Sequence, residues 1–161
     1  EIKNKEVLDV GAGTGRLTNI LVEKGAKVTA MDISKKMLDV LRRKNPLIKT
    51  IIGGAENLPF KDKIFDLVIS TFLIIHLKDL TKFFNEVCRV LKDDGYFLLT
   101  NINQKEAPEI DTVKGLIKIE SHYHRPEKAR KLLEESAFNI EKEIFVREKD
   151  VWINQILFVR K

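Results

Sequence analysis

Residues 7–17 read Val-Leu-Asp-Val-Gly-Ala-Gly-Thr-Gly-Arg-Leu, and this run constrains the fold more than any other. Val7, Leu8 and Val10 have the character of a buried strand. Gly11, Gly13 and Gly15 follow as a tight loop, and Leu17, Ile20 and Leu21 open a helical apolar period. Strand, glycine loop and helix in succession make a place where backbone lies directly against a ligand. The spacing narrows the class of ligand. A dinucleotide fingerprint, G-x-G-x-x-G, needs a glycine at position 16. That position is Arg16, and the third glycine comes one residue early, at Gly15.

The remaining elements are legible from apolar periodicity. Strands are expected at 5–10, 26–31, 48–52, 64–70, 96–100, 139–147 and 151–160. Helices are expected at 15–24, from the Ser34 cap to Lys44, from Asp79 to Leu91 and from Pro126 onward, with Ala129, Leu132 and Leu133 inward. Asn45-Pro46 ends the second helix, and Asp93-Asp94-Gly95 reads as a turn. Alternation of strand and helix implies a parallel sheet with helices on both faces. The last two strands are joined only by Glu148-Lys149-Asp150, which requires an antiparallel hairpin. The fold class is therefore α/β: a three-layer, Rossmann-like, seven-stranded and mostly parallel sheet with a C-terminal antiparallel hairpin. Residues 101–125 are the one long irregular stretch, and 1–161 read as a single domain.

The 161 residues suffice for one sizeable core, and no apolar run approaches a membrane span. The chain opens Glu1-Ile2-Lys3-Asn4-Lys5, which has no secretory leader character. Its single cysteine, Cys88, follows Phe84 by one helical turn and reads as core packing in a cytoplasmic protein. Abundant Lys, Glu and Ile with only Gln104 and Gln155 as glutamines suggest a thermophilic source. The net charge of +5 is localised. Residues 1–50 hold 11 Lys and Arg against 6 Asp and Glu, and the rest of the chain balances at 18 of each. Lys35, Lys36, Arg42, Arg43 and Lys44 cluster on one helix, read either as a solvated face or as a patch for RNA.

Five segments, Val7–Gly15, Val28–Ser34, Gly53–Phe60, Phe65–Leu77 and Val90–Thr100, together resemble the class I S-adenosylmethionine-dependent methyltransferases, especially the small ubiquinone/menaquinone-type group. The likeness runs from about residue 5 to residue 160. It implies a seven-stranded sheet ending in a hairpin, S-adenosylmethionine as cofactor, and methyl transfer to an acceptor.

The resemblance also assigns cofactor residues. Gly11, Ala12, Gly13, Thr14 and Gly15 would let backbone approach the amino-acid tail, with Asp9 holding the tail's ammonium. Asp32, at the end of the second strand, would hold both ribose hydroxyls, and Ile33 would pack on the adenine. Gly54-Ala55-Glu56-Asn57-Leu58-Pro59-Phe60 resembles the family's Asp-Ala-x-x-Leu-Pro-Phe segment. Gly54 stands where the family usually has an aspartate that accepts from the adenine amine. Ala55 can still offer its amide, and Glu56 is either a replacement acceptor or a solvent-facing residue. Ser70 and Thr71 fall where the family places residues near the transferred methyl.

The chain lacks the Pro-Pro-aromatic motif of amino-methylating enzymes after the fourth strand, and it lacks a cysteine there for cytosine-carbon methylation. An oxygen or carbon acid needs a base. The candidates are His76, His122 and His124, with Tyr123 as a pocket residue. Glu120, His122 and His124 alternate, so an extended segment would face them to one side. That arrangement permits a 2-His-1-carboxylate site or a plain polar loop; no metal is assigned. The helix ending at Ala137-Phe138 replaces the family's Gly-Phe, so Ala137 is strained or Asn139 helps end the helix. A small-molecule acceptor is the leading expectation. RNA or protein methylation and a non-catalytic, partner-serving domain are the alternatives.

Overall fold

The computed structural model describes residues 1–113 and 115–161, with Ile110 as backbone only. Lys114, within the 101–125 stretch, lies outside the described residues. The strands are β1 (Glu6–Val10), β2 (Lys27–Asp32), β3 (Lys49–Ile52), β4 (Phe65–Ser70), β5 (Leu91–Ile102), β6 (Glu109–Thr112), β7 (Gly115–Lys118), β8 (Asn139–Glu148) and β9 (Val151–Arg160). The helices are α1 (Arg16–Glu23), α2 (Lys35–Lys44), α3 (Leu80–Val90) and α4 (Pro126–Glu135).

Seven strands form one sheet in the order β3-β2-β1-β4-β5-β9-β8. The first five run parallel, and β9 is antiparallel to both β5 and β8. From β1 the chain proceeds outward to β2 and β3, then returns to place β4 on the other side of β1. The order therefore reverses between β1 and β4, and open α/β sheets bind ligands in the crevice at the carboxyl ends of such a pair. The glycine loop leaves β1 at that point.

Alternation along β1 divides the core. Val7 packs with Leu21 and Leu17 of α1, whereas Leu8 and Val10 pack on the opposite face with Phe83, Phe84 and Val87 of α3 and Leu133 of α4. Leu38 and Leu41 of α2 cover Ala30. Phe83, Phe84 and Phe97 meet pairwise at centroid distances of 5.8–6.1 Å, and fully burying each such ring contributes on the order of 2–3 kcal/mol. Both faces are thus covered, as a parallel sheet requires. β3 and β8 are the two edges, and Glu141, Lys142 and Glu143 on β8 discourage edge pairing there. Among the described residues, no helix is long and apolar enough to cross a membrane.

Two expectations need correction, and a third, left between alternatives, is decided. Residues 101–125 are not wholly irregular: β6 and β7 pair antiparallel as a hairpin of their own. Its short strands carry few alternating apolar residues, so periodicity gave no signal. The turn at Asp93-Asp94-Gly95 lies inside a longer β5, because Leu91 already pairs with Phe65 and the ladder resumes at Tyr96 with Leu67. The helix before it ends at Val90 accordingly. At the end of α4, Ala137 itself takes the left-handed conformation, φ 63°. Phe138 N–H donates to Leu133 O at 3.1 Å, which completes a Schellman-type cap with alanine in the glycine position.

Candidate functional site

The glycine loop is tied to β2 before any ligand arrives. The amides of Gly11 and Ala12 both donate to Met31 O, at 2.8 and 3.0 Å. Gly13 N–H donates to Asp32 Oδ2 at 2.9 Å and Ser34 N–H to Oδ1 at 2.8 Å. Each carboxylate oxygen keeps a second acceptor position, so Asp32 still has a pair of acceptors for two adjacent donors. Gly53 N–H donates to Asp32 O at 3.1 Å, which brings the 54–60 segment to the same corner.

Two glycines of the loop serve different needs. A Cβ on Gly15, which caps α1 at φ 81°, would lie 2.1 Å from Leu41 Cδ1, so this glycine lets α2 pack against the loop. A Cβ on Gly13 would meet nothing within 4 Å. Its space is open to the outside of the protein, which is the property of a cradle.

Asp9 is 2% exposed and accepts from Thr18 Oγ1 at 2.6 Å. Burial pushes its carboxyl up to about 6; the Thr18 hydroxyl pulls it partly back, and the charge of Asp32 adds to the rise. Thr18 was not legible as a site residue, because only the packing of α1 on β1 brings it to Asp9. Thr14 is half-buried in the loop, and Ile33 is 79% exposed, an apolar platform beside Asp32.

The 54–60 segment is clamped from α3. Glu86 Oε2 accepts Leu58 N–H at 2.7 Å, while Arg89 donates to Leu58 O at 2.9 Å and Phe60 O at 2.8 Å. Glu86 and Arg89 pair with each other through two bonds of 2.8 Å. Ala55 is buried, Gly54 is open with nothing within 4 Å of a Cβ, and Glu56 faces solvent.

At the end of β4, Ser70 is fully buried, and among the described residues its hydroxyl has no partner. Thr71 is half-buried. Phe72 holds a left-handed φ of 60°, uncommon for a bulky residue, and its amide donates to Thr100 Oγ1 at 2.9 Å. The ring is exposed, with the Arg16 guanidinium 5.9 Å from its centroid. The contact between Phe72 and Thr100 spans 28 residues and carried no sequence signal.

The histidines separate. His76 is exposed, with Nδ1 3.4 Å from Glu120 O. His122 donates its amide to Ile75 O at 2.6 Å, and its Nε2 lies 3.5 Å from Glu120 Oε1. His124 is 4% exposed, and its Nε2 is 3.0 Å from Ile74 O and 2.8 Å from Leu77 O. Burial lowers its pKa against the pull of those carbonyls, so the neutral ring donates inward and anchors the turn Ile74–His76. Glu120 and His122 therefore meet, while the His124 ring is taken up by two carbonyls. Among the described residues no three His, Cys, Asp or Glu are grouped to hold a metal ion. Tyr123 is half-buried, 6.4 Å from Trp152.

A concavity of about 550 Å³ lined by Lys5, Asp66, Lys92, Tyr96 and Phe158 lies at the opposite, amino edge of the parallel strands. The glycine corner is an open shelf, as the exposed Ile33, Gly54 and Phe72 show.

Residues 8–99 match the family described as methyltransferase domain. The chain belongs to the class I S-adenosylmethionine-dependent methyltransferases. This methyltransferase domain is 40% identical over 93 residues to the demethylmenaquinone methyltransferase of Tropheryma whipplei, covering 56% of this chain and 39% of that one. It spans about two fifths of the length of such curated relatives. An S-adenosylmethionine-dependent methyltransferase from Mesorhizobium loti shares its fold at a TM-score of 0.85 and 19% identity, over 100% of this chain and 93% of that one. The phosphoethanolamine N-methyltransferase 1 of Haemonchus contortus, solved with phosphoethanolamine and S-adenosylhomocysteine, matches at 0.83 and 24%, over 99% of this chain and 39% of that one. The corner built around Asp32 suits the family cofactor, S-adenosylmethionine. It combines an open glycine, a buried acid, a carboxylate with two spare acceptor positions and an exposed apolar platform.

Proposed function

We propose that residues 1–161 form one domain that transfers a methyl group from S-adenosylmethionine to a small-molecule acceptor by in-line displacement. The observation that carries this reading is the Asp32 joint, where one carboxylate fixes the Gly13 and Ser34 amides and keeps two acceptor positions free. In this reading Asp32 holds the ribose hydroxyls, Gly13 and its neighbours admit the amino-acid tail, and Asp9 faces the tail's ammonium. Ile33 packs against the adenine, and the Ala55 amide meets its ring edge. Gly54 leaves the adenine amine without a side-chain acceptor, and Glu56 stands close enough in sequence to serve. Ser70 and Thr71 border the methyl end.

When bound, the cofactor supplies a methyl on a cationic sulfur that is already a good leaving group. The protein's share is alignment at about 3 Å and exclusion of water. Phe72 and Arg16 stand at the open side of the shelf, where such exclusion is needed. For an acceptor that must lose a proton, His76 and His122 are the bases to test, since the Nε2 of His124 is committed to two carbonyls. A small acceptor is favoured over RNA because Asp39 pairs with both Lys35 and Arg42, which neutralises part of the α2 patch. The relative named as a demethylmenaquinone methyltransferase points the same way. A cytoplasmic setting and a thermophilic source complete the reading and rest on composition alone.

The test is titration calorimetry with S-adenosylhomocysteine, followed by tritium transfer from labelled cofactor to a metabolite extract or to bulk RNA. Binding that is lost in Asp32→Ala, with label in small molecules, is the expected result. Failure to bind S-adenosylhomocysteine overturns the reading, and label in RNA overturns the acceptor class.

A further inference from the structure

A row of rings at the carboxyl edge of the sheet joins Tyr123, expected from the sequence to line a pocket, to two residues that have no role above. β8 and β9 turn at Lys149–Asp150, so Trp152 stands beyond the end of β5, where Ile102 pairs with Asn154, while Phe145 is level with Asn101 through Gln155. The Phe145 and Trp152 rings meet edge to face at 6.2 Å, and Tyr123 lies 6.4 Å from Trp152. Each end of the row carries a cation. Lys105 Nζ is 6.0 Å from the Tyr123 centroid, and the Arg147 guanidinium carbon is 5.7 Å from that of Phe145. Among the described residues neither cation has a carboxylate at ion-pair distance; Arg147 donates only to Asp150 O, at 3.2 Å.

The row is held in place and joined to the cofactor corner. Asn103 Nδ2 donates to Trp152 O at 2.7 Å, and Asn103 N–H to Ile153 O at 3.1 Å, fixing the Trp152 backbone to the end of β5. Tyr123 sits between two further ties: His122 N–H to Ile75 O at 2.6 Å, and Asn101 Nδ2 to His124 O at 3.0 Å. The segment carrying Tyr123 is thereby stitched to the turn after β4 on one side and to β5 on the other.

We propose that this row binds the methyl acceptor, and that the acceptor is a planar aromatic anion. The proposal rests on the methyltransferase reading. Half-exposed rings offer faces and edges to a flat ring, and cations resting on rings keep N–H donors for a carboxylate or similar anion. Two cations are too few to follow a polynucleotide backbone. The basic helix α2 covers the other half of the sheet, over Ala30 of β2, so it does not extend this row.

Trp152 is the sole tryptophan, so its indole N–H gives a single side-chain signal in a nitrogen-15 spectrum of the full chain. The probes are 2-naphthoate, 2-naphthol and cyclohexanecarboxylate, titrated with S-adenosylhomocysteine present. 2-Naphthoate is expected to shift the signal saturably and at least about fivefold more tightly than either other probe. Lys105→Gln with Arg147→Gln should remove that advantage and leave 2-naphthol unchanged. Equal binding of all three probes, no saturable shift, or unchanged 2-naphthoate binding in the double variant overturns the proposal. Retained S-adenosylhomocysteine binding shows that the double variant is folded. It also separates the two failures: loss of that ligand in the unaltered chain strikes the methyltransferase reading, whereas failure of 2-naphthoate alone strikes only the acceptor class.

Discussion

Oδ2 of Asp32 accepts the Gly13 amide at 2.9 Å, and this bond joins the loop after β1 to the end of β2. The groups proposed to face the cofactor are therefore set by contacts within the protein. In that reading the same corner separates residues needed for folding from residues needed for binding.

Gly13 and Gly15 make that separation measurable. Gly15→Ala forces a methyl to 2.1 Å from Leu41 Cδ1 in a fully buried contact, and it should lower stability by about 2–4 kcal/mol in chemical denaturation. Gly13→Ala meets no protein atom within 4 Å, so only its positive φ costs stability, about 1–2 kcal/mol. Its S-adenosylhomocysteine affinity should fall at least about tenfold, on the order of 1.4 kcal/mol or more. Equal affinity in Gly13→Ala and the parent chain contradicts the cradle.

Asp9 makes stability and binding respond to pH in opposite directions. The folded carboxyl releases its proton near 6 and the unfolded one near 3.8, so between those values the folded chain binds more protons. This group's contribution is therefore fully present below about pH 4 and is lost as pH rises through about 6, on the order of 3 kcal/mol. Asp9→Asn should melt higher than the parent at pH 8, with the difference closing towards pH 4. An ammonium beside Asp9 favours the ionised form, so S-adenosylhomocysteine affinity should climb from pH 5 to pH 7 in the parent and stay flat in Asp9→Asn.

Gly54 is open enough to receive the carboxylate that the adenine end lacks. Gly54→Asp should tighten S-adenosylhomocysteine binding by about 1 kcal/mol, roughly fivefold. Calorimetry with no gain would remove the adenine amine from the role assigned to this position.

Arg89 holds the Leu58 and Phe60 carbonyls and both oxygens of Glu86. Arg89→Met keeps much of the side-chain volume but frees the Leu58 and Phe60 carbonyls and leaves Glu86 only the Leu58 amide. Stability should fall by about 1–3 kcal/mol, and S-adenosylhomocysteine affinity should weaken with it. A variant that loses stability and keeps full affinity would show that the clamp serves the fold alone.

Ala137 occupies a left-handed cap, φ 63°, at the end of α4. Ala137→Gly relieves about 1 kcal/mol of strain. The melting temperature should rise by about 2–4 °C for a chain of this size, with S-adenosylhomocysteine binding unchanged, since the cap lies just before the start of β8, at the opposite end of the sheet from the glycine loop.

The sequence by itself determined the succession of the seven sheet strands along the chain, the terminal hairpin and the glycine loop. These depend on local periodicity, on glycine and proline positions and on short connections, all of which act over a few residues. Asp9, Asp32 and the three loop glycines were legible from residue type and spacing, although the structure assigns Gly15 to the packing of α2 on the loop. Tertiary structure alone decided which groups act on them. Thr18 reaches Asp9 only through packing of α1 on β1, Arg89 reaches Leu58 across 31 residues, and Thr100 holds Phe72 across 28. His124 shows the limit most clearly: its spacing from His122 and Glu120 allowed a shared face, yet two carbonyls from the turn after β4 draw its ring into the core. Burial and long-range hydrogen bonds are properties of the closed sheet, and spacing along the chain does not encode them.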